Sequence, residues 1–179
     1  LSTEQLAANH LLLQIIAFSA FFLDGFAFVS EAYTGKAVGQ RSRILFLHTT
    51  QKTSVLAGLT ALFLSSIIFL LGPYIIGGLT SINNIKIIAI DQLYLCAIYV
   101  LLSVGAFQLD GIYIGANYGK ALRNAYFIAA LLFFALWLRF LKSYGATGLW
   151  WAFIGFVVLR AVCLALYWPS LIKTRFSGD

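Results

Sequence analysis

Five stretches of this 179-residue chain are apolar enough to cross a bilayer, and each reaches the roughly 20 residues a membrane helix needs. They cover residues 8–35, 53–76, 87–115, 121–141 and 148–172. Only 10% of the residues are charged, where soluble domains carry about 25%. The polar–apolar alternation of a membrane barrel strand is missing. The sequence therefore predicts an all-α, polytopic membrane helix bundle, with residues 1–179 forming one unit.

The net charge of +6 raises the possibility of a nucleic-acid partner, but the distribution of the basic residues excludes it. Eight of them fall after the first span (Lys36, Arg41, Arg43, Lys52), after the third (Lys120, Arg123) and after the fifth (Lys173, Arg175). Three, Lys86, Arg139 and Lys142, fall on the opposite side. The positive-inside bias then predicts an N-terminus outside and a C-terminus in the cytoplasm. The first ten residues lack the basic segment of a signal peptide. Residue 1 is Leu and the chain contains no Met, so the sequence is expected to be the C-terminal piece of a longer protein. Cys96 and Cys163 both lie in apolar spans and read as small core residues.

Four ionisable residues interrupt the spans: Asp24, Glu31, Asp110 and Arg160. A carboxylate in hydrocarbon costs about 2.5 kcal/mol or more, so each is expected to face other helices or a wet cavity. Asp24 and Glu31 are seven residues apart, which puts them on one helix face. Arg160 suits a structural ion pair with one acid. One Arg cannot neutralise three acids, so at least one carboxyl is expected to be protonated or to hold an ion. Gln14, Gln108 and Asn117 suit interhelical hydrogen bonds. His10 and His48 read as solvated residues at helix ends.

The third span echoes the first. Leu23-Asp24-Gly25 recurs as Leu109-Asp110-Gly111, and Thr34-Gly35-Lys36-Ala37 as Tyr118-Gly119-Lys120-Ala121. Two acids beside helix-loosening glycines, on two spans of the same direction, predict a shared cavity.

Catalytic motifs are weak or absent. Asp24-Gly25-Phe26-Ala27 resembles the start of the Asp-Gly-x-x-Ala-Arg motif of CDP-alcohol phosphotransferases. Phe28 stands where that family needs Arg, and no second Asp pair follows for a two-metal site. Neither a P-loop, a nucleophile elbow nor a zinc-binding His-Glu-x-x-His occurs. No enzyme, metal or cofactor is expected.

Leu6-Ala-Ala-Asn9-His10, Leu23-Asp24-Gly25-Phe-Ala, Glu31-Ala and Gly35-Lys-Ala-Val-Gly39 together resemble the eighth helix of MATE-family multidrug exporters, the DinF branch in particular. Leu109-Asp-Gly-Ile-Tyr-Ile-Gly115-Ala is similar to that branch's tenth helix, and Leu149-Trp-Trp-Ala-Phe with Leu159-Arg160-Ala to its last. His10 and Lys36 depart from the branch, which usually has Gln at both positions.

The resemblance implies that the five spans are helices eight to twelve of a twelve-helix carrier whose two lobes rock around a central cavity. It implies export of amphipathic or cationic compounds across a bacterial inner membrane, by antiport against H+ or Na+. Asp110 stands where the family's tenth helix carries an acid implicated in cation coupling, with Asp24 and Glu31 as further coupling candidates. Arg160, Gln108, Asn117 and Gln14 would support them. The partners implied are the bilayer, a small amphipathic or cationic substrate and an N-terminal lobe, without which this piece is expected to be inactive. A lipid-linked oligosaccharide flippase and a non-transporting scaffold remain alternatives.

Overall fold

The computed structural model describes residues 2–176, apart from the side chains of 140–146, so Lys142 lies outside the described residues. The described chain is all-helical, in six elements: α1 (Thr3–Gly39), α2 (Arg43–Leu79), α3 (Asn83–Asp91), α4 (Leu93–Gly115), α5 (Gly119–Leu166) and α6 (Trp168–Phe176). Among the described residues five helical segments are long and apolar enough to cross a membrane. Large apolar side chains cover their outer faces: Phe21 is 76% exposed, Phe18 63% and Phe63 65%. A surface this apolar is stable against lipid, not water.

Contacting pairs fix the directions. Leu12 meets Cys96 and Ser30 meets Gln108, so α1 and α4 run parallel, and Glu4 meets Asn84 of α3. Ser30 also meets Thr53, with α2 returning beside α1. The two halves of α5 lie against each other in antiparallel order, because Asn124 bonds Tyr167 and Phe133 packs on Phe156. Two segments here, Gly119–Arg139 and Thr147–Phe176, are each long and apolar enough to cross a membrane.

Three boundaries differ from the sequence reading. First, α1 and α2 reach well beyond their apolar cores. Ser2 and Gln5 form a capping box at the start of α1, and Ser42 caps α2 through the Leu45 amide. Polar residues such as His48, Thr49 and Thr50 can extend a helix past the hydrocarbon, where hydropathy no longer reports it. His10 and His48 accordingly lie within helices.

Second, the third span is divided at Gln92, which separates α3 from α4. Third, the last span breaks at Tyr167, ahead of Pro169. Proline has no amide hydrogen to donate, and the Tyr113 hydroxyl donates to the carbonyl of Leu164 at the break, 2.6 Å away.

Neither Gly25 nor Gly111 interrupts its helix, contrary to the expected loosening. Gly111 instead permits close approach. A Cβ there would overlap the Ala27 carbonyl, and one at Gly115 would overlap the Glu31 carbonyl and the Thr34 hydroxyl. Gly111-Ile-Tyr-Ile-Gly115 is a small-xxx-small surface on which α1 seats backbone to backbone. Gly25 faces open space.

Both α1 and α4 close in Schellman turns. The amides of Arg41 and Ser42 return to Val38 and Ala37, and those of Asn117 and Tyr118 to Ile114 and Tyr113. Arg41 and Asn117 adopt φ 53° and 51°, a left-handed conformation that Asn tolerates better than most residues. Asn117 is therefore an exposed turn residue, not the interhelical bridge expected from sequence.

Candidate functional site

Two buried apolar clusters divide the bundle. One gathers Leu12, Ile68, Leu95, Val100 and Trp150; the other gathers Phe46, Tyr113, Leu164, Leu171 and Phe176. Most of the polar side chains buried within the spans lie along the helices between these clusters.

The charged part of that layer lies between α4 and α5. Arg160 approaches Asp110 through one guanidinium nitrogen, 3.3 Å from Oδ2. The Tyr126 hydroxyl donates to the same oxygen at 2.8 Å. The side chains of Arg160 and Asp110 are only 12% and 15% exposed. The guanidinium lies 4.9 Å from the Tyr126 ring centroid, 5.8 Å from that of Phe156 and 5.9 Å from that of Phe107. Three rings replace part of its hydration through cation–π contact. Asp110 Oδ1 and Arg160 Nε are buried without hydrogen-bond partners.

Asp24 of α1 completes the group. It is half-buried, on the stretch of α1 that seats against Gly111, the residue next to Asp110. The close seating of α1 on Gly111 brings it there, since Ala27, which covers Gly111, is one helical turn from Asp24. Glu31, two turns further along α1, is half-buried, and its carboxylate has no hydrogen-bond or ion-pair partner among the described residues.

A second, uncharged part lies on the other side of α4. Gln108 is two residues from Asp110 and faces away from it. The Ser30 hydroxyl lies 2.7 Å from Gln108 Oε1 and 2.8 Å from Thr53 Oγ1, linking α1, α2 and α4. Gln108 Nε2 is buried without a partner. Gln14, in contrast, is exposed and bonds His10 on its own helix at 3.1 Å.

Sequence reasoning missed three participants. Tyr126 and Trp150 were not distinguishable from the many lipid-facing aromatics. The Trp150 indole donates to both Asn9 Oδ1 and Gln92 Oε1 at 3.0 Å, tying α1 and α5 to the α3–α4 break. The Gly111–Gly115 spacing is a readable packing signal, although the acid beside it drew the functional reading. The apolar cavities lie elsewhere: one of about 180 Å³ borders Asn9, Phe133 and Trp150, and one of about 350 Å³ lies between Phe18 of α1 and Ile68 of α2.

The family model for MatE matches residues 1–138. The chain belongs to the MatE family. It is also 35% identical over 168 residues to DNA damage-inducible protein F of Escherichia coli (strain K12), across 94% of this chain and 36% of that protein. The chain thus spans about a third of the length of this curated relative. No solved structure matches it. Asp24, Glu31, Asp110 and Tyr126 lie within the residues matched by the MatE model, and Arg160 lies beyond them.

Proposed function

We propose that this MatE-family membrane chain is one part of a secondary active transporter that exports amphipathic or cationic organic compounds by antiport against H+ or Na+. The observation that carries this reading is the buried Arg160–Asp110 pair between two spans, with Asp24 one helical turn from the point where a third span seats on Gly111. Two carboxylates facing one guanidinium leave an exchangeable positive charge wanting, in a region where charge is costly. Binding of a cation would favour one packing of the helices, and its loss another. Only a difference in affinity between the two packings can drive such a switch.

The relative's greater length supports further helices that complete the carrier. The phenylalanine, tyrosine and tryptophan rings suit an amphipathic substrate, held by area burial and cation–π contact. The basic residues around the α1–α2 and α4–α5 turns and on α6 favour a cytoplasmic C-terminus in a bacterial inner membrane. The test is dye efflux from cells making the full-length protein with Asp110→Asn. Loss of cation-dependent efflux at unchanged membrane abundance is expected. Undiminished efflux removes Asp110 from the mechanism and favours a purely structural ion pair.

A further inference from the structure

Arg160 is the unusual member of the cluster, because a fixed cation beside a cation-binding carboxylate competes with the cation it is meant to bind. Its placement explains how both can be accommodated. Both donors to Asp110, the charged Arg160 guanidinium and the neutral Tyr126 hydroxyl, converge on Oδ2. Oδ1 stays buried and unpartnered. Arg160 is held from behind by Tyr126, Phe156 and Phe107, and it does not span the carboxylate in the two-toothed manner open to guanidinium. One edge of the carboxylate is thereby occupied, and the other is left for an exchangeable ion.

The charges then decide how many ions bind. Asp24 and Asp110 contribute two negative charges and Arg160 one positive. At low local dielectric an uncompensated unit charge is strongly disfavoured, so the cluster takes up one monovalent cation and no more. We propose that Arg160 is the stoichiometry-setting residue of this site: a tethered cation that holds the exchange at a single H+ or Na+ per cycle. Without it the two carboxylates would hold two charges, and more tightly, which would hinder release. This inference rests on the proposed coupling role of the cluster and specifies its count. The titratable or charged groups facing the site are Asp24 of α1, Asp110 and Tyr99 of α4, and Tyr126 and Arg160 of α5.

The test counts bound cations on the purified full-length protein in detergent. Protons are followed with an indicator dye in weak buffer, and Na+ by equilibrium dialysis with the radioactive isotope. Arg160→Gln is expected to bind one more cation than wild type, and Arg160→Lys the same number. Asp24→Asn and Asp110→Asn should each bind one fewer. The double acid variant should also lose only one, because the wild-type cluster holds only one; in each single variant Arg160 balances the carboxylate that remains.

An unchanged count in folded Arg160→Gln overturns the inference, as does a loss of two in the double acid variant. The acid variants carry the test alone if Arg160→Gln does not fold. If neither single acid variant changes the count, the cluster holds no exchangeable cation and the proposed function fails with it. A change in the acid variants but not in Arg160→Gln removes only the stoichiometric role.

Discussion

Tyr126 and Arg160 share one oxygen atom: both reach Oδ2 of Asp110, at 2.8 and 3.3 Å, while the guanidinium lies 4.9 Å from the Tyr126 ring centroid. The tyrosine therefore acts twice, as a donor to the acid and as a surface for the base. Tyr126→Phe separates the two roles. It keeps the ring under Arg160 and removes a hydrogen bond to a charged group, worth about 1.5–3 kcal/mol. Thermal unfolding in detergent should show a loss of that order. In a double-mutant cycle with Asp110→Asn the two effects should fall well short of additive.

The α1–α4 crossing makes a sharper structural prediction. Gly111→Ala and Gly115→Ala each place a methyl group onto the α1 backbone, which cannot retreat as a side chain can. Overpacking costs about 1–3 kcal/mol and at times more, so the yield of monodisperse protein should drop markedly. Gly25→Ala has open space and should leave the yield unchanged or slightly improved.

The hydroxyl seam should show the asymmetry of buried polar groups. Ser30→Ala strips Gln108 Oε1 of its donor, beside an amide nitrogen that already lacks a partner. An unsatisfied buried group costs about 1–3 kcal/mol. Ser30→Ala combined with Gln108→Leu removes the stranded amide as well. The double variant should melt at a higher temperature than Ser30→Ala alone.

Trp150 offers a fourth check, at the far end of the bundle. Trp150→Phe keeps the packing against Phe153 but strands the side-chain oxygens of Asn9 and Gln92. A loss of about 1–3 kcal/mol is expected. Increased hydrogen exchange at the α3–α4 junction should accompany it.

The membrane spans were legible because hydrocarbon imposes length and apolarity directly on sequence. Helix ends were not, since polar turns such as Arg43–Lys52 remain helical beyond the apolar core. The break at Gln92 has no glycine or proline beside it, and its side chain's partner, Trp150, is distant in sequence; the break at Tyr167 does have a local signal, Pro169, within an otherwise apolar run. In the site, the cost of buried charge singled out Asp24, Asp110 and Arg160 before any geometry was known. Their pairing was not readable, because nothing local distinguishes the acid that meets Arg160 from the one that stands beside it. Gln14 and Asn117 show the limit of that reasoning. A polar residue within an apolar run can bond along its own helix or close a turn instead of bridging helices.

The central claim is that the carboxylates of α1 and α4 form one cation-responsive unit. It is tested most directly in proteoliposomes holding the full-length protein, with ethidium efflux driven by an imposed H+ or Na+ gradient. Asp24→Asn and Asp110→Asn should each abolish the response to the gradient while leaving the protein folded, and the double variant should be no worse than either. A gradient response that survives both substitutions would contradict the account.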